Sequence, residues 1–265
     1  GSTRKYTVSM WVRRGNVSAA ASLWLFSGDI GDSGSSDGAW FSSSDKLNLI
    51  IRDSSNTEKG QVATTAVFRD PTAWYHLVFV VDTTAASSDD RMQIWVNGVR
   101  QTLTASTTPV LNADFDGWNG NDFNTIGSSA PHSMSPGAFF DGYIAEMINI
   151  DGQALTPSSF GQTNSTTGAW DPKAYSGTYG TNGFFLKFAD NSGTTATTLG
   201  KDSSGNGNNW TPNNFSVTAG AGNDSLTDTP TNYGTDTGAG GEVRGNYCVL
   251  NPVGRVYVAS PTLAN

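Results

Sequence analysis

Residues 6 to 12, YTVSMWV, set Tyr6, Val8, Met10 and Val12 against Thr7, Ser9 and Trp11, an alternation of period two that predicts a strand with one buried face. WYHLVFVVD, from Trp74 to Asp82, is apolar at nearly every position. That suits a central strand packed on one face and covered by neighbours or a concave surface on the other. RMQIWVNGVRQTL places Asn97-Gly98 between two alternating runs, and a type I′ turn needs positive φ at both central residues, so residues 91 to 103 are expected as a hairpin. FFDGYIAEMINIDGQAL repeats the pattern, with Tyr143, Ala145, Met147 and Ile148 to Ile150 in strand and Asp151-Gly152 as a second such turn. Thr156 as N-cap and Pro157 at the first helical position predict one short helical turn, and no segment carries a sustained amphipathic helix pattern. Residues 164 to 183 are turn-rich, and GFFLKFAD (183 to 190) returns to strand. The class is therefore all-β.

Composition adds to this picture. Charged residues are 14% of the 265, and Gly contributes 31, which suits many short strands joined by tight turns. The length fits one large β-domain or two small ones. Beyond about residue 216 the chain is rich in Gly, Thr and Asp and low in apolar residues, so 217 to 265 is expected as a linker or wrapping arm. Its terminal NYCVLNPVGRVYVAS is either an edge strand or the first strand of a further domain. Net charge is −8, with no Lys/Arg cluster longer than a pair, so neither nucleic acid nor an anionic membrane is an expected partner. The single cysteine, Cys248, excludes an intrachain disulfide. No run is long and apolar enough for a membrane span and no signal-peptide order is visible; Gly1-Ser2 reads as a cloning remnant and the chain as a piece of a longer protein.

Three segments in this order, YTVSMWVRR, WYHLVFVVDTTAASSDDRMQIWVNGVRQ and TIGSSAPHSMSPGAFFDGYIAEMINIDGQALT, resemble the laminin-G-like and pentraxin-like, concanavalin A-type lectin superfamily over residues 5 to 160. The resemblance implies a jelly-roll sandwich of two antiparallel sheets, one concave. Many such domains begin with a strand resembling FFLKFADNSGT and a turn resembling DSSGNGN. Here both follow the core, so the expected domain is 1 to 216, with an opening hairpin displaced to residues 183 to 216; an abandoned second copy is the alternative. The string from DGQALTPSSFG through YGTNGFFLKF and LGKDSSGNGNNWTPNNF to DTPTNY and LNP is similar to virion-associated proteins of marine bacteriophages. It implies a tail or surface appendage, extracellular when acting, with other virion proteins as partners and a homo-oligomer as one arrangement.

A glycoside hydrolase of the laminarinase type would share this sandwich. Retaining hydrolysis needs two carboxylates roughly 5 to 5.5 Å apart, mounted on alternate residues of one strand. The glutamates are Glu58, Glu146 and Glu242, and none has an acidic residue two or four positions away; the acidic neighbours of Glu146, Asp141 and Asp151, lie at odd offsets. No enzyme is expected. His76, inside an apolar strand, reads as a satisfied core histidine and His132 as a solvated loop residue. Pentraxins, by the resemblance, bind calcium through a loop that here reads SSAPHSMSPG (128 to 137), with no Asp, Glu, Asn or Gln, so that double site is not expected.

No cofactor is required by this pattern, but calcium has three candidate sets among turn-forming residues. They are Asp29, Asp32 and Asp37 in SGDIGDSGSSDGAW, the acids and amides of LNADFDGWNGNDFN, and Asp202, Asn206 and Asn208 in LGKDSSGNGNNW; in each an ordinary turn is the alternative. Sugars stack on aromatic rings while Asn and Asp take their hydroxyls. Asp116, Trp118, Asn119, Asn121 and Asp122 are therefore candidate glycan contacts, with Trp40 after the first loop, and the alternative for Trp118 is a plug under its own loop. The functional expectation is a module that binds a bacterial surface glycan; a purely structural or oligomerising domain and a polysaccharide hydrolase are the alternatives.

Overall fold

The computed structural model describes residues 1–30, 36–120, 123–129, 136–219 and 222–225. Its fourteen named strands form two six-stranded antiparallel sheets and one two-stranded sheet. The first large sheet is built on β1 (Lys5–Arg14), flanked by β6 (Trp74–Asp82) and β11 (Gly142–Asp151). Beyond β6 lie β7 (Met92–Val96) and β8 (Val99–Arg100), and beyond β11 lies β14 (Phe184–Leu186). The second sheet runs β10 (Asn124–Ile126), β2 (Leu23–Asp29), β3 (Ser36–Phe41), β4 (Leu47–Arg52), β5 (Glu58–Thr64) and β9 (Leu103–Thr107). Nearly all-β and two-layered, this is the jelly-roll sandwich expected of a concanavalin A/laminin-G-like chain.

The alternating residues of β1 explain the inner layer. Tyr6, Val8, Met10 and Val12 are fully buried and pair across the ladder with Val81, Phe79, Leu77 and Tyr75. Phe79 meets Phe26 of the opposite sheet edge-on at 5.4 Å. The fully buried cation among the described residues, Arg14, is accounted for: it lies over Phe41, donates to the Phe68 carbonyl and pairs with Asp45 at 2.9 Å, both side chains fully buried. Burial works to raise the Asp45 carboxyl, but hydrogen bonds from Arg69, Ser18 and Arg14 outweigh it and hold the group below the ordinary carboxylate range.

The outer face of the first sheet is not the solvent face that the alternation in β1 predicts. Thr7 and Ser9 are as buried as the apolar residues beside them. Val78, Val80, Ile148 and Ile150 share that face and form a second apolar cluster with Phe160, against which Leu155, Tyr175 and Tyr179 pack. Thr7 Oγ1 donates to the Gln153 carbonyl at 2.8 Å and accepts from the Leu155 N–H, so the returning chain is stitched to the sheet. The 3-10 turn Pro157–Ser159 occurs where Thr156-Pro157 predicts it, although Thr156 makes no side-chain cap bond. It leads into the two-stranded sheet of β12 (Gly161–Thr163) and β13 (Trp170–Pro172).

Asn97 (φ 48°) and Gly98 (φ 79°) form the expected hairpin turn. The second expected turn does not form: Gly152 has φ 79°, but Asp151 stays in β11 opposite Tyr6. Within β11, Glu146 has φ 48° and shares with Met147 the place opposite Met10, a β-bulge. The bulge switches which parity faces outward, from Tyr143 and Ala145 to Ile148 and Ile150, so odd-and-even reasoning about Glu146 does not carry along this strand. The stretch SGDIGDSGSSDGAW is mostly strand, since β2 runs to Asp29 and β3 begins at Ser36.

Two compact units divide the chain: residues 1–186 with 203–208, and 187–202 with 209 onward. In the first, the segment 183 to 190 supplies β14, three residues that pair with Met147 to Asn149. The second, taken by itself, is described as turns: Thr198 caps the turn at Thr195, the Trp210 N–H donates to the Gly200 carbonyl at 2.8 Å, and Ser216 and Asp224 bond reciprocally. Residues 226–265, with the terminal strand expected there, lie outside the described residues, as do His132, Glu242 and Cys248.

Candidate functional site

The Asp- and Asn-rich loop that carries most of the expected glycan contacts is folded into the sandwich. Phe115 packs edge-on to Tyr6 at 5.2 Å, and Trp118, 1% exposed, lies against Phe26 at 4.6 Å and Phe184 at 6.2 Å. Its indole N–H donates to Asn149 Oδ1 at 3.2 Å. Asn119 is equally committed: Nδ2 donates to Asp151 Oδ1 at 2.8 Å and to the Ser2 carbonyl, while Oδ1 accepts from Asn149 Nδ2. Trp118 and Asn119 are therefore corrected from ligand contacts to anchors, because neither presents a free face or a free amide to solvent. Asp116 is half-buried, its N–H on the Arg52 carbonyl; Asn121 and Asp122 lie outside the described residues.

Asp37 explains why the loop closes here. It is fully buried on the inner face of β3 and accepts the Trp118 backbone N–H. A Cβ on Gly117 would collide with this carboxyl, and one on Gly28 with the Gly117 backbone, so both glycines allow the loop to approach the sheet. Burial pushes the Asp37 carboxyl up to about 8 against the lowering effect of the Trp118 N–H, and burial together with the Asp37 charge raises the Tyr6 hydroxyl.

Among the described residues, the members of the first and third calcium sets are placed as follows. Asp37 pairs with Gly28 on the inner face, whereas Asp29 pairs with Ser36 one position on, so alternation turns Asp29 and Asp37 to opposite sides of the sheet; Asp32 lies outside the described residues. Asn206 and Asn208 each donate twice through Nδ2, to the carbonyls of Gly180 and Gly183 and of Thr181 and Gly183, which makes them braces of that loop. Asp202 belongs to the second unit, where its N–H donates to Asn209 Oδ1 at 2.8 Å. Among the described residues no group of three or more His, Cys, Asp and Glu could hold a metal ion.

His76 has both ring nitrogens occupied. The Trp170 indole N–H donates to Nδ1 at 2.9 Å, so Nε2 carries the proton and bonds Ser9 Oγ at 2.8 Å. The ring stacks on Trp11, with Trp170 beside it nearly coplanar, and burial lowers it to about 4, so it is neutral at physiological pH. Glu58 is held by Thr107 and Arg52, and Glu146 is exposed on its bulge.

Of the expected aromatics, Trp40 stands on the surface. It lies opposite Trp24 across the β2–β3 ladder, and the two indoles stack at 4.6 Å with planes 27° apart. Both alternate with inward-facing neighbours, Leu23 and Phe41, and so belong to the outer face of the second sheet, half-buried. Asn48 follows Trp40 in the same cross-strand row. Phe139, 63% exposed, bridges to Trp24 at the sheet edge. Asn48 is itself buried and donates to the Lys46 carbonyl, so it is the stacked indole pair with its adjoining exposed ring that suits the CH face of a sugar. The pairing of Trp24 with Trp40 depends on hairpin register across a bulge, which sequence alternation does not supply.

The family model described as "Concanavalin A-like lectin/glucanases superfamily", Laminin_G_3, matches residues 1–159, and the chain belongs to this family. No curated protein matches it. Among solved structures it is similar to a native heptameric SAP-like pentraxin from Limulus polyphemus, 17% identical with a TM-score of 0.40, over 58% of this chain and 66% of that one. It is also similar to the CBM40 of a Ruminococcus gnavus IT-sialidase bound to alpha2,3 sialyllactose, 10% identical with a TM-score of 0.45, over 59% and 80%. Domains LG4-5 of the mouse laminin alpha1 chain are 16% identical with a TM-score of 0.38, over 67% of this chain and 42% of that one.

Proposed function

We propose that this member of the concanavalin A-like lectin/glucanase superfamily is a non-catalytic glycan-binding module, which takes a sugar ring on the Trp24–Trp40 surface. The observation that carries this reading is the stacked, surface-facing indole pair with Phe139 beside it. Stacking on the indoles needs no cofactor, so binding proceeds without calcium. The similarity of residues 151 to 252 to virion-associated proteins supports placing the module in a phage tail or surface appendage, where it meets a bacterial surface polysaccharide and neighbouring virion proteins. Against catalysis stand the occupied carboxyl of Glu58 and the neutral, doubly bonded His76, neither poised for acid–base work.

A glycan array probed with and without EDTA tests this. The expected result is retention of a neutral or mixed glycan in both conditions, lost in the Trp24→Ala/Trp40→Ala double variant. Failure of any sugar to bind in either condition, or a double variant that binds like the parent, would end the reading; release of reducing ends from a polysaccharide would replace it with hydrolysis.

A further inference from the structure

A different surface, on the outer face of the first sheet, carries unused charge. Where β1, β6 and β11 lie side by side, one cross-strand row reads Tyr143, Arg13, Trp74, since Arg13 is opposite Tyr143 on one side and Trp74 on the other. Tyr143 is 46% and Trp74 38% exposed, and their rings are 6.4 Å apart with planes tilted by 53°. The Arg13 guanidinium is held on the Tyr143 side: its carbon lies 5.6 Å from the centre of the Tyr143 ring, and Nε donates to the Pro71 carbonyl at 3.0 Å. Trp11, in the next row, stacks on His76 and continues the aromatic surface inward.

Arg13 forms no ion pair among the described residues, whereas Arg4, Lys5, Arg14, Arg52, Lys59, Arg69 and Arg100 each have a carboxylate partner. Lys46, Arg91, Lys173 and Lys201 likewise form no ion pair among the described residues, and what sets Arg13 apart is its place opposite two exposed rings. Asp70 is near enough to feel the Arg13 charge, but its Oδ1 is taken by the N–H and hydroxyl of Thr72. Asp141 lies close to Gly15 and makes no ion pair with Arg13. Among the described residues Nη1 and Nη2 have no hydrogen-bond acceptor, with Asp70 within electrostatic reach only. A guanidinium whose Nε is already fixed binds an oxyanion with little further ordering, and its planar fork matches carboxylate or sulfate.

We propose that the row Tyr143–Arg13–Trp74 is a second binding site, specific for an acidic saccharide. The carboxylate or sulfate of one sugar unit sits on Arg13 Nη1 and Nη2, and its pyranose ring stacks on Trp74 or Tyr143. An acidic peptide would satisfy the fork but make poor use of the two rings, and a stable protein partner needs roughly 800 Å² on each side, far more than this row presents. The site lies on the opposite outer face of the sandwich from Trp24 and Trp40 and does not depend on them.

Titration calorimetry of the whole chain decides it, with tetragalacturonate, its methyl ester, a sulfated galactan tetrasaccharide and tetraglutamate as ligands. The acidic sugar is expected to bind roughly tenfold or more tightly than the ester, with affinity falling as salt is raised. Comparing tetragalacturonate with the sulfated sugar shows which anion is preferred. Arg13→Gln and Trp74→Ala are each expected to lower the affinity roughly tenfold at unchanged melting temperature, with Arg13→Lys recovering part of it. Trp24→Ala/Trp40→Ala leaves it intact. The proposal is overturned if neither acidic sugar binds, if ester and acid bind alike, if Arg13→Gln binds like the parent while folded, or if tetraglutamate binds as tightly as the sugars.

Discussion

The loop at residues 111 to 120 and the Trp24–Trp40 row both set a tryptophan beside an amide, yet the first tryptophan is part of the core and the second row part of the surface. In the loop every strong group is spent on the protein: the Trp118 indole N–H on Asn149, the Asn119 amide on Asp151 and Ser2, the Trp118 backbone N–H on Asp37. In the row the two indoles spend one face on each other and, among the described residues, make no hydrogen bond of this kind. Asn and Asp beside a tryptophan thus describe a buried polar lock as well as they describe a sugar site. What separates the two is whether the donors and acceptors already face one another.

The largest effect that tests this contrast is the loss of Trp118. Trp118→Ala empties a fully packed site between Phe26 and Phe184 and is expected to destabilise the fold by about 3–5 kcal/mol in urea unfolding. A variant of parental stability that lost sugar binding would invert the comparison. Next comes Asn149→Ala, which leaves the Trp118 indole N–H and the Asn119 carbonyl oxygen without partners, for an expected loss of about 1–3 kcal/mol.

Asp37 gives the contrast a pH signature. Its folded-state value is raised to about 8 from an ordinary 3.8, so the unfolded chain releases this proton first. Stability from this group is full below the unfolded value and declines as pH rises toward 8. Unfolding midpoints measured across that window should fall in the parent and lose this component of the slope in Asp37→Asn, which keeps an acceptor for the Trp118 N–H. His76 works in the other direction: lowered to about 4, it contributes stability above 6.5 that is lost as pH falls toward 4. The smallest expected change in stability is at the surface. Trp40→Ala should shift unfolding by less than about 1 kcal/mol while lowering glycan affinity roughly tenfold, measured on the same preparation by calorimetry.

Much of the fold was legible because its signals are local. The β6 run, the Asn97-Gly98 turn and the alternation in β1 each lie within a dozen residues, and φ preferences and side-chain period act at that range. The site was less so. Trp40 was recognisable as an aromatic after a loop, but its partner Trp24 is found only through a register that shifts between Trp24 and Phe26. Arg13 carried no sequence signal at all, since what marks it is its cross-strand place between Tyr143 and Trp74 and the lack, among the described residues, of an ion pair that seven other cations possess.

The amino-acid sequence by itself determined that this protein is built of short strands joined by tight turns and carries a net negative charge, because strand period, turn chemistry and net charge are properties of the chain; the two-sheet sandwich was what its resemblance implied. Tertiary structure decided which aromatics are core and which are surface. Trp118 meets Asn149 across 31 positions, Asn119 meets Asp151 across 32, and Thr7 is covered by residues almost 150 positions away. Such contacts are fixed by how sheets and loops close on one another, and a bulge of one residue at Glu146 is enough to exchange the two faces of a strand.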